Sequence, residues 1–181
     1  MKTSLEIEFK TAISEDIYNK LIKKFNLKDN IKTQINHYFD TPNKDIINAG
    51  LVLRIRQKGN YYKITSKTPS KDGTIEKHIQ LEENEALKIL QQGFDANIIG
   101  IPYYVNKVAE LTTHRVTMPY EGGIIFFDKN TYYDTTDYEI EYEVSDFATG
   151  ENNFNKFLQE NEIAFVKTTS KTKRALKAAK I

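Results

Sequence analysis

The feature that most constrains this chain is charge at every second residue in three separate segments. Residues 4–11 alternate between apolar side chains and the charged side chains of Glu6, Glu8 and Lys10. Arg54 and Arg56 alternate with apolar neighbours, and so do Glu139, Glu141 and Glu143. A period of two is typical of a β-strand, because successive side chains point to opposite faces. Each segment is therefore predicted to be a strand with one charged face and one apolar face.

The rest of the chain predicts further strands and several amphipathic helices. Strands are expected at 32–39, 51–57, 61–67, 74–81, 108–119, 123–130 and 137–144, with another at 164–168. Helices are expected after Ser14, which suits an N-cap, and at 82–92, around Pro102, at 150–161 and from Lys171.

These elements predict an α+β fold with about eight antiparallel strands, in one domain spanning residues 1–181. A closed β-barrel with flanking helices is favoured, because closure leaves no exposed sheet edge. The charged faces have two interpretations. Each strand taken alone could turn its charged face to water, as antiparallel sheets often do. Helices that cover the apolar faces from outside would instead point the charges inward.

The distribution of charge favours the second interpretation. Glutamates dominate the first strand and a late strand, whereas arginine and lysine dominate the middle ones. A solvated face more often mixes signs across strands, since opposite charges attract there. Aligned glutamates repel one another unless a cation lies between them. A tunnel with acidic and basic walls suits a polyphosphate bound with Mg²⁺ or Mn²⁺, which prefer oxygen ligands.

Composition excludes several other classes of protein. The 26 Lys and Arg residues nearly balance the 25 Asp and Glu residues, which argues against general nucleic-acid binding through a basic surface. There is no cysteine, so disulfides and cysteine-based zinc sites are excluded. No secretion signal or membrane-spanning run is expected, and a cytoplasmic location is predicted. The motifs GxxxxGK[ST] and GxGxxG do not occur.

An ordered series of motifs resembles the CYTH, or triphosphate tunnel metalloenzyme, superfamily. The segment 6–10 resembles its N-terminal ExExK signature, and 37–41 its Tyr-x-Asp-Thr signature. Other matches, in order, are 53–56, Lys67, Glu76, Arg115, Asp128, 139–141 and the ending at 170–174. The resemblance covers essentially the whole chain and is strongest to the short single-domain proteins of Gram-positive bacteria that are named after adenylate cyclases.

The resemblance implies an eight-stranded antiparallel barrel that forms a tunnel and binds a triphosphate with Mg²⁺ or Mn²⁺. It implies catalytic roles for Glu6, Glu8 and Lys10. The implied metal ligands are Glu6, Glu8, Glu139 and Glu141. The implied phosphate-binding residues are Lys10, Arg54, Arg56, Lys67, Arg115, Lys171 and Arg174. Glu76 and Asp128 are expected to support these groups. Glu143, Lys63 and the three histidines are left outside the expected site.

Three functions stay open on this reading. The favoured one is metal-dependent hydrolysis of inorganic triphosphate, with ATP and thiamine triphosphate as related substrates. The second is a class IV-type adenylate cyclase that makes cyclic AMP. The third is a module that binds polyphosphate or a nucleotide without turnover. The oligomeric state is not predicted.

Overall fold

The computed structural model describes residues 1–181 and contains nine strands and five α-helices. The strands are β1 (Lys2–Ile13), β2 (Lys32–Asp40), β3 (Val52–Lys58), β4 (Tyr61–Ser70), β5 (Gly73–Leu81), β6 (Phe94–Asp95), β7 (Tyr104–Tyr120), β8 (Gly123–Tyr132) and β9 (Thr135–Val144). The helices are α1 (Glu15–Lys24), α2 (Asp45–Asn48), α3 (Glu83–Gln92), α4 (Phe147–Glu160) and α5 (Lys171–Ala178).

Eight of the strands close into an antiparallel barrel. Their order is β2-β3-β4-β5-β1-β9-β8-β7, and pairing of β2 with β7 completes the ring. The two-residue strand β6 lies outside the barrel and pairs with the start of β7. The long strand β1 pairs with β5 through residues 2–6 and with β9 through residues 7–13. The predicted α+β barrel with flanking helices is confirmed.

Helices cover the apolar outer faces of the barrel in two places. On one side, Ile89 of α3 packs in a buried cluster with Ile55 and Ile64 of β3 and β4. On the other, α1 and α4 pack against β8 and β9, where Phe157 contacts Phe127 with ring centroids 6.3 Å apart. Burying each large apolar side chain stabilises the fold by about 1.5–3 kcal/mol. The alternation of the strands therefore turns their charged side chains inward.

Helix α5 packs against the inner face of the barrel. Its Ala175 and Leu176 form a buried cluster with Leu111 and Tyr132. Leu111 lies on the same face of β7 as Arg115, because four residues separate them along the strand. The inward side chains thus become apolar where α5 covers them. None of the helices is both long enough and apolar enough to cross a membrane.

Two predicted elements are wrong. Residues 163–170 form no strand. Hydrogen bonds at Val166 hold this segment to β1: Ala12 N–H donates to the Val166 carbonyl at 3.0 Å, and Val166 N–H donates to Thr11 Oγ1 at 2.8 Å. The short helix expected around Pro102 instead lies earlier, as a 3₁₀ turn at 96–99 that ends before Gly100. Gly100 has a φ of +84°, a left-handed conformation that stops the turn.

Asp40 ends β2 and organises the turn that follows it. Its carboxylate is 3% exposed and accepts hydrogen bonds from the backbone N–H groups of Thr41, Ile46 and Ile47 at 2.8, 2.9 and 3.2 Å. Thr41 precedes α2, and Ile46 and Ile47 lie in its first turn, where helical N–H groups lack partners within the helix. Asp40 therefore holds the β2–α2 connection in place.

We expect Asp40→Ala to lower the free energy of unfolding by at least ~2 kcal/mol, because buried N–H groups lose their acceptor. Asp40→Asn keeps one acceptor oxygen and should cost less. Urea denaturation of the two variants and the wild type would measure both effects. Equal stability of Asp40→Ala and the wild type would contradict this role.

Candidate active site

A cavity of about 650 Å³ lies inside the barrel. Only four of its 24 lining residues are hydrophobic, so it suits a highly polar ligand. Ten of the residues singled out from the sequence line it. They are Glu6, Glu8, Lys10, Arg54, Arg56, Lys67, Glu76, Arg115, Glu141 and Lys171.

The other three predicted residues, Asp128, Glu139 and Arg174, lie behind the cavity wall. Asp128 and Glu139 face each other on β8 and β9 and are essentially buried. Arg174 donates to Glu139 at 2.9 Å and to the Thr169 carbonyl at 2.6 Å. Arg174 thus fastens α5 to this wall and does not face the cavity itself.

The cavity has two acidic walls, and the first is formed by Asp128, Glu139 and Glu141. Lys171 lies at its centre. Its ammonium lies 2.9 Å from Asp128 Oδ2 and 2.7 Å from Glu141 Oε1, and it also contacts Glu139. Carboxylate oxygens of these three residues lie within 4.8 Å of one another, a spacing that would hold a metal ion. This spacing suits a bound cation, and the ammonium group of Lys171 already lies among the three carboxylates.

Arg115 completes this wall from β7. Its guanidinium donates to both oxygens of Asp128 at 2.7 and 2.5 Å and to Glu141 at 2.5 Å. Burial alone would raise the pKa of Glu141. The positive charges of Lys171 and Arg115 outweigh it and hold that pKa well below its ordinary value. Glu141 is therefore ionised and fully paired.

A second acidic wall, formed by β1, β5 and the end of β9, carries less compensating charge. Glu8 of β1 faces Glu143 of β9 directly across the strand pair, and Glu143 lies at the exposed rim of the cavity. Lys67 contacts Glu6 and lies 2.6 Å from Glu76. Facing carboxylates destabilise a sheet unless a proton or a cation separates them. The oxygens of Glu6, Glu8 and Glu143 are ligands that suit Mg²⁺ or Mn²⁺.

Glu6 carries the electrostatic cost of this arrangement. Burial raises its pKa, and the charges of Glu8 and Glu76 raise it further, although Lys67 opposes them. Burial, Glu76 and Glu8 raise the pKa of Glu143 in the same direction. A bound cation would therefore stabilise the second acidic wall more than the first.

The basic wall on β3 and β4 contains two cations without a carboxylate partner, Arg56 and Lys63. Arg54 lies 3.8 Å from Glu76. Arg56 contacts no carboxylate, and its cross-strand neighbour is another base, Lys63. Burial and the nearby charges of Arg54 and Arg115 lower the pKa of Arg56 to about 9. This corner of the cavity would be stabilised by an anion.

The cavity lining also includes residues that were not among the expected site residues, and four of them are Lys63, Glu143, His78 and Tyr38. His78 was expected to be an ordinary surface or strand residue, but it lines the cavity and lies 3.0 Å from Glu76 Oε2. The signal was the strand period: Lys63, His78 and Glu143 lie two or four residues from expected site residues and share their inward face.

The fold and the site place this chain among closed antiparallel β-barrels whose interior carries opposed acidic and basic walls. The CYTH domain family model matches residues 4–176 of this chain. The chain belongs to the CYTH domain family, and the predicted membership is confirmed.

Related proteins agree with this assignment. A Bacillus subtilis protein named "Putative triphosphatase YjbK" is 32% identical, with 96% of this chain and 95% of the relative aligned. A crystal structure from Bacillus halodurans, described as a "putative adenylate cyclase", is 30% identical with a TM-score of 0.88, covering 96% of this chain and 98% of the other. HpAC1 from Hippeastrum shares the fold at 20% identity and a TM-score of 0.77, covering 98% and 97%. HpAC1 is described as having a dominant triphosphatase activity.

The raised pKa of Glu6 predicts a pH-dependent effect of Glu6→Gln. A carboxyl whose folded pKa lies above its unfolded value destabilises the fold once it ionises. In metal-free buffer, we therefore expect Glu6→Gln to melt at a higher temperature than the wild type at pH 7. The difference should disappear as the pH falls below 4.5, the ordinary value. Thermal melts in EDTA from pH 4 to 8 would measure it, and a lower melting temperature at pH 7 would show that the Lys67 contact dominates.

Proposed function

We propose that this protein is a metal-dependent triphosphatase that hydrolyses inorganic triphosphate. The observation that carries the proposal is a single polar cavity in which a carboxylate-rich wall faces unpaired bases. A triphosphate with a divalent ion neutralises both walls at once. The Bacillus subtilis relative and HpAC1, whose descriptions name triphosphatase activity, support the same reaction.

The residues present fit a divalent metal ion. Glu6 and Glu8 would hold it, with Glu143 at the rim as a further oxygen ligand. The predicted ligands Glu139 and Glu141 contact Lys171 in the first acidic wall. A bound ion would supply charge neutralisation for the phosphate oxygens and a more acidic water. Hard oxygen ligands favour Mg²⁺ or Mn²⁺ over softer metals.

The bases of the cavity bind and orient the phosphate groups. Arg54, Arg56 and Lys63 approach from β3 and β4, and Lys67 lies between them and the glutamates. Lys10, Arg115 and Lys171 approach from the opposite side. Phosphoryl transfer depends mainly on positioning and charge neutralisation, which this arrangement provides.

A carboxylate of the second acidic wall that does not hold the metal ion would accept the proton of the attacking water. Glu141 of the first acidic wall does not suit this role, because Lys171 and Arg115 hold its pKa well below the ordinary value. Glu141 stays ionised and holds Lys171 and Arg115 in place.

Phosphate release tests the proposal directly. Purified protein would be incubated with tripolyphosphate, ATP or thiamine triphosphate, with Mg²⁺, Mn²⁺ or EDTA. We expect metal-dependent release that is fastest with tripolyphosphate. Glu6→Gln combined with Glu8→Gln should abolish turnover in a protein that remains folded by circular dichroism. No release from any substrate by the wild type would reject the proposal.

Removing the unpaired guanidinium should weaken substrate binding. We expect Arg56→Gln to reduce tripolyphosphate affinity by about 1.5–3 kcal/mol, the scale of a charged hydrogen bond. This corresponds to a loss of roughly 10–150-fold. Titration calorimetry in EDTA would measure it, with Lys173→Gln at the cavity edge as a milder comparison. Unchanged affinity would place the phosphates elsewhere.

Cyclisation of ATP is the second candidate, because the Bacillus halodurans relative carries a cyclase name. The scarcity of apolar lining residues offers little surface for a nucleobase, which favours the inorganic substrate. Detection of cyclic AMP in the ATP reaction would separate the two activities.

A cytoplasmic location, predicted from the sequence, is part of this proposal.

A further inference from the structure

One neutral side chain holds the unpaired guanidinium of the basic wall. Most other bases of the cavity contact a carboxylate: Lys10 lies 2.7 Å from Glu8, and Lys67 lies 2.6 Å from Glu76. The Nε–H of Arg56 instead donates to Asn36 Oδ1 at 3.0 Å. Asn36 and Arg56 are direct partners across β2 and β3, so the backbone fixes their proximity.

The orientation and burial of Asn36 are well defined. Its side chain is completely buried. A guanidinium can only donate hydrogen bonds, so the oxygen of the Asn36 amide must face Arg56. The Asn36 amide nitrogen has no hydrogen-bond partner within the protein. A buried, incompletely satisfied amide is unfavourable for stability alone, which suggests that this position serves the ligand site.

We propose that Asn36 is a positioning residue that fixes Arg56 for phosphate binding without neutralising its charge. An aspartate is nearly the same size, but it would form an ion pair with Arg56 and compete with the phosphate oxygens. The amide oxygen orients the guanidinium and leaves its positive charge for the ligand. This inference deepens the proposed function and rests on it.

The same corner then becomes a phosphate subsite that works without a metal ion. Arg56 and Lys63 face each other across β3 and β4, and neither has a carboxylate partner. The carboxylates Glu6 and Glu8 belong to the second acidic wall, on β1. One phosphate group of the substrate would therefore be held by charge and hydrogen bonds from Arg56 and Lys63, whereas Glu6 and Glu8 would hold the metal ion on β1.

The decisive variant is Asn36→Asp, which keeps the acceptor and adds a charge. We expect its KM for tripolyphosphate to rise at least tenfold while kcat changes less than threefold. In EDTA, the tripolyphosphate-induced rise in melting temperature should shrink to a small fraction of the wild-type value. The ligand-free melting temperature should stay the same or rise, because Arg56 gains a partner. A lower ligand-free melting temperature with an unchanged KM would overturn the proposal and assign Asn36 to packing.

A double-mutant cycle shows whether Asn36 acts through Arg56. In an Arg56→Gln background, Asn36→Asp should cause less than a twofold further change in KM. An undiminished tenfold effect there would overturn the proposal. Asn36→Leu, which removes the acceptor without adding charge, should also raise KM, and it provides the test if Asn36→Asp does not fold. An unchanged KM for Asn36→Leu would overturn the proposal as well.

Asn161 provides a matched control. It is a buried asparagine whose Oδ1 accepts from Lys24 Nζ at 2.7 Å, but it lies outside the barrel after α4. Asn161→Asp should leave KM unchanged. The outcomes also separate the two proposals. Binding that depends on Asn36 without any turnover would reject the triphosphatase and keep the inference, whereas turnover unaffected by Asn36→Asp would do the reverse.

Discussion

The closed barrel forces many charged side chains into a confined space, and the rest of the structure depends on how they are paired. Removing an ion from water costs several kcal/mol unless partners compensate. The outer faces of β3, β4, β8 and β9 are buried beneath helices, so the charged faces have no alternative but the lumen. Pairing across the strands then decides which groups are satisfied and which remain available to a ligand.

The pairing is complete on one side and incomplete on the other. Asp128, Glu139 and Glu141 are matched by Arg115, Lys171 and Arg174, so each carboxylate of that wall has a basic partner. The carboxylates around Glu6 and the bases around Arg56 lack this balance. The unbalanced groups have opposite sign and share one cavity. A ligand that carries both a divalent cation and several phosphates resolves both imbalances, which neither a metal nor a phosphate does alone.

The strand period explains why much of the site was predictable. In a strand, the face of every residue follows from its neighbour, so Glu6, Arg54 and Glu141 could be placed inward once the outer faces were recognised. The same rule would have placed Lys63 and His78, but motif matching favoured only the residues that resemble a known signature. The contacts between individual side chains could not be predicted from the strand period. That Arg56 contacts Asn36 and not a carboxylate depends on the register of β2 and β3, which alternation does not determine.

The C-terminal bases are a second case in which the sequence alone does not determine the contacts of a side chain. Lysines and an arginine crowd residues 167–180, and composition does not select among them. The selection comes from helix geometry. Ser170 caps α5, so Lys171 begins the helix, and Arg174 and Ala175 follow at the spacings of three and four residues that share a helix face. Burial of Ala175 and Leu176 against Leu111 and Tyr132 then fixes the rotation of α5. The apolar contacts at this end of the barrel therefore determine which lysine reaches Asp128, Glu139 and Glu141.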